Sequence, residues 1–268
     1  MSRAIAAAYV SDERVIIFCS HSDSAFRFPV RIACFITSCP QFVAVSGRRR
    51  MKHEIFHNSK SRRRRVNNPE GTKRNIIDVA TEEFAGNGFS GARVDDIAAR
   101  TKTSKRMIYY YFGGKEGLYI AVLETAYRSI RTIEATLDLE HHKPNQALRE
   151  LVSFTFDYQN AHPEFVRLVM SENVLNGAYV ARSKEIQRLN VAVIDSLHNI
   201  LVRGQRSGTF RPDVDPIDLH MSISALCFFN VANRATFSTI FKRDMASPRA
   251  LSARRAQVVE TIMRYVQR

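Results

Sequence analysis

Where proline falls, and where it does not, constrains this chain more than any other feature. Prolines stand at 29, 40, 69, 144, 163, 212, 216 and 248, which leaves a proline-free stretch from Glu70 to Lys143. Proline inside a helix removes a backbone donor and clashes with the preceding turn, so a long gap of this kind fits a run of helices. Within the gap, Ile76, Ile77, Ala80, Phe84 and Phe89 recur at helical spacing, with Lys73, Arg74, Asp78, Glu82 and Glu83 expected on the other side. That pattern predicts an amphipathic helix from about Thr72, ended by Gly86-Asn-Gly88, where glycine takes the left-handed cap conformation. A short helix over Val94 to Arg100 would turn Val94, Ile97 and Ala98 inward. After Thr101-Lys-Thr-Ser104 another helix is predicted over Lys105 to Phe112, with Ser104 or Thr103 as N-cap, Gly113-Gly114 as stop, and Met107, Ile108 and Phe112 facing the core. A longer helix opens at Lys115 and reaches about Leu139.

Beyond His141-His-Lys-Pro144 the pattern stays helical over Ala147 to Gln159, Pro163 to Met170, about Ser183 to Ser207, Pro216 to Phe241 and Ala250 to Gln267. Asn176-Gly177, Gly204 to Gly208, Asp213-Val-Asp-Pro216 and Ser247-Pro248 supply the turns between them. No internal repeat is present, and no convincing strand is expected outside the N-terminal extension. The predicted fold class is therefore all-α. Two apolar faces, Leu219, Ile223, Leu226 and Val231 on one helix and Val258, Val259, Ile262, Met263 and Val266 on the last, are wide enough to need two sets of neighbours. One set can be the same chain and the other a second copy, so a symmetric four-helix interface of a homodimer is expected.

The net charge of +14 is unevenly spread. Residues 1–66 hold 13 basic and four acidic residues, whereas residues 67–125 balance at eight and eight. The overall basicity therefore says little about nucleic acid, and local clusters must carry that case. Three of the four cysteines, Cys19, Cys34 and Cys39, lie in the extension, and Cys227 stands in an apolar run as core filler. That spacing supports neither a disulfide framework nor a zinc site, and it fits a reduced, cytoplasmic setting. The apolar segment from Phe28 to Val45 is interrupted by Arg31 and Pro40, which makes it a poor signal peptide and a poor membrane span. The extension is expected to be a disordered basic arm, or to precede a true translation start at or near Met51.

The chemistry concentrates between Ile97 and Gly114, a span with no acidic side chain that holds Arg100, Lys102, Lys105 and Arg106, with Lys115 directly after it. Two short helices joined by a tight turn, the second opening with Lys105-Arg106, are what a helix-turn-helix reader of DNA requires. The second helix enters the major groove with its N-terminal end toward base edges. Thr103 and Ser104 can donate to phosphate, Tyr109 and Tyr111 can meet backbone or thymine methyls, and Lys115 at a helix start suits another phosphate. Packing alone could also account for the aromatic run Tyr109-Tyr-Tyr-Phe112, since aromatic residues at helical spacing are commonly core. Turn, cap and charge asymmetry together favour the DNA reading.

The run Val94-Asp-Asp-Ile-Ala-Ala-Arg-Thr-Lys-Thr-Ser-Lys-Arg-Met-Ile-Tyr-Tyr-Tyr-Phe-Gly-Gly-Lys-Glu-Gly-Leu118, with Ala80-Thr-Glu-Glu-Phe-Ala-Gly-Asn-Gly-Phe89 before it, resembles the DNA-binding domain of the TetR family of bacterial transcriptional regulators. The resemblance implies an all-helical homodimer with a helix-turn-helix domain at 67–118, preceded by the 1–66 extension. It implies a helical effector-binding and dimerisation domain at 119–268. By position it carries DNA contacts to Arg93, Asp95, Ser104, Lys105, Arg106, Tyr109, Tyr111 and Lys115. Three positions depart from the family pattern: Lys102 stands where glycine is usual, Arg93 where a threonine cap is common, and Tyr111 where histidine is frequent.

The function expected is a sequence-specific regulator, a repressor released from a palindromic double-stranded operator by a small-molecule effector. Polar and aromatic groups on otherwise apolar helices, Phe154, Tyr158, Asn173, Asn176, Phe229 and Asn233, are the candidate effector contacts. No phosphate loop, HExxH pair or serine elbow occurs, so no catalytic residue, metal ligand or cofactor is expected. The competing reading is a basic nucleoid- or membrane-associated protein that acts through residues 1–66 without sequence preference. Sequence-selective binding by residues 67–268 alone separates the two.

Overall fold

The computed structural model describes residues 68–268 together with two short strands in the extension, β1 (Ala8–Ser11) and β2 (Arg14–Ile17), which pair antiparallel. The three N-terminal cysteines and the basic runs Arg48-Arg-Arg50 and Arg62-Arg-Arg-Arg65 lie outside the described residues.

The first helix, α1 (Pro69–Gly91), starts three residues before the sequence suggests. Asn68 explains this: its side chain accepts from the Gly71 backbone N–H at 2.9 Å, and Pro69 is preorganised for the first helical position. The stop is at the expected glycine, since Gly88 departs from the helix at φ 66°, ψ 176°, and one further turn follows it. Then come α2 (Val94–Thr101), α3 (Lys105–Phe112) and α4 (Lys115–Glu134). Helix α4 ends five residues short of Leu139. The linker after it is pinned from α7 (Lys184–Arg206), where Arg203 donates to the carbonyls of Leu139, Glu140 and His142 at 2.6–2.8 Å. Leu139 is buried in that linker.

Helices α5 (Pro144–Ala161) and α6 (Pro163–Val174) follow, then a single 3₁₀ turn at Val180–Arg182 and α7. The predicted helix over Pro216 to Phe241 is two helices, α8 (Pro216–Ala232) and α9 (Arg234–Ile240). The break falls at Asn233, next to a polar knot in which Asn230 Nδ2 donates to Asn160 Oδ1 at 2.9 Å and Arg234 reaches the same oxygen. The last helix is α10 (Pro248–Val266).

Two main cores hold these elements. Ile76, Ala80, Phe84, Ile97, Ile108, Leu118 and Val122 form the core of α1–α4, and it runs on without a gap into Leu168 of α6 and Ile186 of α7. The division after residue 118 is thus not a break in packing. The second core joins α5, α7, α8 and α10 through Leu148, Val152, Phe156, Leu197, Leu201, Ile223 and Met263. Cys227 is fully buried in it, and burial pushes its thiol up to about 12.

The apolar faces expected to meet a second copy are largely consumed here. Leu219, Ile223, Val258, Val259, Ile262, Met263 and Val266 are buried within the one chain, Leu226 packs on the same core and Val231 on a smaller cluster. The stripe of each helix that the pattern marked faces the protomer interior, Leu219, Ile223 and Cys227 on α8 and Val258, Val259, Ile262, Met263 and Val266 on α10. What α8 leaves uncovered is Ile217, Met221 and Phe229. Among the described residues, no helix is long and apolar enough to cross a membrane.

Candidate functional site

The outward tip of α2–α3 is built by a turn, a cap and one ion pair. Lys102 takes the left-handed conformation, φ 53°, that its glycine-favouring position demands. Ser104 Oγ accepts from the Met107 backbone N–H at 3.3 Å and so starts α3, while Gly113 closes it at φ 75°. Ile108 is the fully buried residue of this helix, and Tyr111 and Phe112 pack against the same core. The remaining face presents Lys105, Arg106, Tyr109 and Tyr110, with Tyr110 77% exposed. Sequence reasoning selected Tyr109 and Tyr111 and passed over Tyr110. The helical period could have found it, since a residue three after Ile108 shares its inward face and a residue two after it does not.

Lys105 Nζ lies 3.0 Å from Asp95 Oδ1, so the pair ties α2 to α3, and the hydrogen bond to Asp95 raises the Lys105 ammonium pKa. Arg100 turns back onto Glu82 and Glu83 of α1 and adds nothing to the outward face. Lys115 donates to the Ser90 carbonyl at 3.3 Å and sits 4.9 Å over the Phe89 ring. Arg93 and Asp95 are exposed at the start of α2.

Glu83, expected among the solvated residues of α1, is buried instead and holds the start of α2. Arginine offers no capping oxygen and α2 starts without a side-chain cap, but Glu83 Oε1 fixes the entry to the helix by accepting from the Arg93 backbone N–H at 3.4 Å and from Asn87 Nδ2 at 2.9 Å. Its other oxygen lies 3.7 Å from Arg100. Glu83→Ala is expected to lower stability by about 2 kcal/mol, because it removes the buried acceptor of two part-buried hydrogen bonds and the partner of Arg100. Urea denaturation measures it, and a loss below about 0.5 kcal/mol, the range of ordinary surface substitutions, would contradict this role.

The six candidate effector residues do not form one site, although the Phe154 and Tyr158 rings meet with centroids 5.8 Å apart. Phe154 lines a shallow groove with Asp157 and Arg255. Tyr158 is buried beside a cleft formed with Asp78, Ser129 and His162. Asn173 is exposed and donates to its own helix at the Val169 carbonyl, 3.0 Å away, and Asn176 stands exposed at φ 56° after α6. Phe229 lines an open hollow of about 520 Å³ with Phe237 and Phe241, and Asn233 marks the α8–α9 break.

A different set lines a half-open cavity of about 380 Å³ among α4, α5, α6, α7 and α8. Tyr127, Phe165 and Phe228 supply aromatic walls, while Arg131, Gln159 and His220 supply polar ones. Arg131 pairs with Glu134 and donates through Nη2 to Asn190 Oδ1 at 3.1 Å. Burial raises the Glu134 carboxyl pKa, and the Arg131 guanidinium opposes the rise. The Nε of Arg131 and the Oε1 of Gln159 are both buried, and neither has a partner among the described residues. Burial, with Arg131 adding to it, holds the His220 imidazole down at about 4, so it is neutral at pH 7. Sequence reasoning missed these three because a lone arginine, glutamine or histidine on an amphipathic helix reads as solvent face.

The depressed imidazole has a stability consequence. Unfolded, the ring takes a proton near its ordinary value, about 6.5, whereas folded it resists protonation down to about 4. Stability from this group is complete above the unfolded value and is lost as pH falls below it, by about 2 kcal/mol between pH 7 and pH 4.5. His220→Leu is expected to remove that part of the acid sensitivity. Parallel stability curves for both proteins across that window would contradict it.

Comparison with known proteins agrees with this geometry. The family described as bacterial regulatory proteins, tetR family, matches residues 76–122, and a tetracyclin repressor-like C-terminal domain matches residues 144–262. The chain is 39% identical over 186 residues to the HTH-type transcriptional repressor NicS of Pseudomonas putida, spanning 69% of this chain and 88% of that protein. It is 31% identical over 153 residues to the HTH-type transcriptional regulator RutR of Escherichia coli, spanning 57% of this chain and 70% of that one. Among solved structures, the Streptomyces coelicolor protein SCO4942 aligns over 73% of this chain and 98% of its own, at 29% identity and TM-score 0.56. A tetR-family regulatory protein from Rhodococcus shares the fold alone, with TM-score 0.60 at 18% identity over 73% of this chain and 97% of its own. The chain belongs to the TetR family of bacterial DNA-binding transcriptional regulators.

Proposed function

We propose that the protein is a repressor that holds a palindromic operator as a homodimer in the cytoplasm and leaves it when a small molecule enters the cavity among α4–α8. The observation that carries this reading is helix α4. Its first residue, Lys115, stands beside the DNA-reading tip, while Tyr127, Ile130 and Arg131 further along it line the cavity. A helix of 20 residues is about 30 Å long and moves as a rigid lever, so occupancy at one end is felt at the other.

Arg106, Tyr109 and Tyr110 would read base edges, and Arg93, Ser104 and Lys115 would hold phosphates. Lys105 and Asp95 would set the angle between α2 and α3 and place the lysine near the backbone. The stripe of Ile217, Met221 and Phe229, left uncovered along α8, supports a second copy against that helix. Two reading helices would then lie about 34–36 Å apart, one turn of DNA. A ligand that prefers a conformation with another separation shifts the population off the operator.

A footprint around the protein's own gene tests the first half. Preference for a palindrome over scrambled DNA is expected, and equal affinity for both overturns it. A ligand screen by thermal shift, followed by operator release, tests the second half. Release that survives filling of the cavity by Ser224→Trp places the effector elsewhere.

A further inference from the structure

Resting on the reading of the α2–α3 tip as the DNA interface, we infer that Lys102 is a further anchor on the phosphate backbone, and that the strain in its turn is the consequence of presenting an ammonium there. Lys102 closes α2 in the left-handed conformation, φ 53° and ψ 31°, which glycine adopts freely and a residue with a Cβ adopts only against a steric penalty. Strain that the surrounding structure holds in place clusters at functional positions, so it points to a role for the side chain. Conformation alone assigns nothing, since Lys242 between α9 and α10 adopts it as well. Placement and charge separate the two lysines.

The turn that carries Lys102 is held from several sides. The Lys102 backbone N–H donates to the carbonyls of Ala98 and Ala99, Asn75 Nδ2 of α1 donates to the Thr101 carbonyl at 3.4 Å, and the Thr103 hydroxyl donates to the same oxygen at 3.3 Å. Lys102 therefore leaves a fixed stem two residues before Ser104, the cap of α3, at the end of that helix which enters the groove. Its side chain is exposed, and the ion pairs of this tip are made without it: Asp95 takes Lys105, and Glu82 and Glu83 take Arg100. From Ile97 to Gly114 the chain carries no acidic side chain to neutralise it. An ammonium left unmatched beside the reading helix is complemented by a phosphate of double-stranded DNA, which lysine binds as a point charge. A glycine here would relieve the strain and remove the charge, so stability and DNA affinity oppose one another at this one position.

Anisotropy titrations of the full chain across a salt series test the inference, with two duplexes: the one protected by footprinting around the protein's own gene, and a scrambled duplex of the same composition. Lys102→Gln removes the charge and keeps the strain. It is expected to bind scrambled DNA about fivefold more weakly or worse at about 0.1 M salt, with the salt slope reduced by about one per subunit. Lys102→Arg should keep the slope of the parent. Lys102→Gly should lose the same contact yet raise the urea midpoint, because relief of the left-handed strain outweighs the extra freedom of glycine in the unfolded chain. Lys242→Gly, the comparison, should raise the midpoint and leave binding to both duplexes as before. A parental salt slope in Lys102→Gln overturns the anchor, and a midpoint that does not rise in Lys102→Gly overturns the strain. The two levels separate because a phosphate contact persists on any sequence. A parent that binds both duplexes equally, while Lys102→Gln still lowers the slope, defeats the operator reading alone. A selective parent whose slope Lys102→Gln leaves unmoved defeats Lys102 alone, and a parent that binds neither duplex defeats both.

Discussion

Arg106→Ala is expected to weaken operator binding by two to three orders of magnitude while leaving the unfolding midpoint nearly unchanged. Arg106 is exposed at the second position of α3, and no ion pair holds it among the described residues. Its removal therefore costs the folded protein little. On DNA, one arginine bidentate to guanine is worth about 1–3 kcal/mol, and a two-fold symmetric complex loses it twice. The sum, about 2–6 kcal/mol, is centred on about 4 kcal/mol, and at about 1.4 kcal/mol per decade that centre corresponds to two to three orders of magnitude. Anisotropy titrations across a salt series also show which kind of contact is lost. A base contact lowers specificity at one position per half-site with the salt slope kept. A phosphate contact lowers affinity evenly across sequences and reduces the slope by about one per subunit. Unchanged affinity for the operator would remove α3 as the reading helix.

Gly117→Ala is expected to destabilise the protein by more than about 3 kcal/mol, although alanine is the better helix former by about 1 kcal/mol. A Cβ at Gly117 would stand 1.8 Å from the Phe112 carbonyl oxygen, inside any tolerable contact. The opposing atom belongs to the backbone at the end of α3, so no side chain can swing aside. Relief requires α3 and α4 to separate at their corner, which also re-aims the reading face. Gly113→Ala serves as the comparison, since its Cβ meets nothing within 4 Å and only its φ of 75° opposes the change, for about 1–2 kcal/mol. Urea midpoints of the two variants give the order. A Gly117→Ala protein as stable as the parent would show that the corner is loosely packed.

Much of the DNA-reading half was legible because its determinants are local. Ser104 caps, Gly113 stops, and Ile76, Ala80, Phe84 and Ile97 repeat with the helical period, so each element follows from neighbours a few residues apart. What escaped depends on distant partners. Glu83 looks solvated in a window of its own helix and becomes a buried acceptor only when Arg93 arrives opposite it. The same limit applies to the cavity among α4–α8. Arg131, Gln159 and His220 come from three helices, and nothing in any one helix marks them, whereas the six residues chosen for being polar or aromatic on apolar stretches are scattered. The α8–α9 break was missed because Asn233 follows a strongly apolar run, and the asparagine knot with Asn160 joins segments 70 residues apart.

The seam between the two halves carries a practical consequence for protein engineering. Leu168 and Ile186 complete the interior of α1–α4, and the Ser171 hydroxyl would lie 3.7 Å from a Cβ placed on Gly88 at the kink of α1. A chimaera that grafts the N-terminal reader onto an unrelated sensor would expose this apolar floor and lose its support. Modular exchange succeeds only if the recipient offers matching side chains at those few places, Leu168 and Ile186 above all.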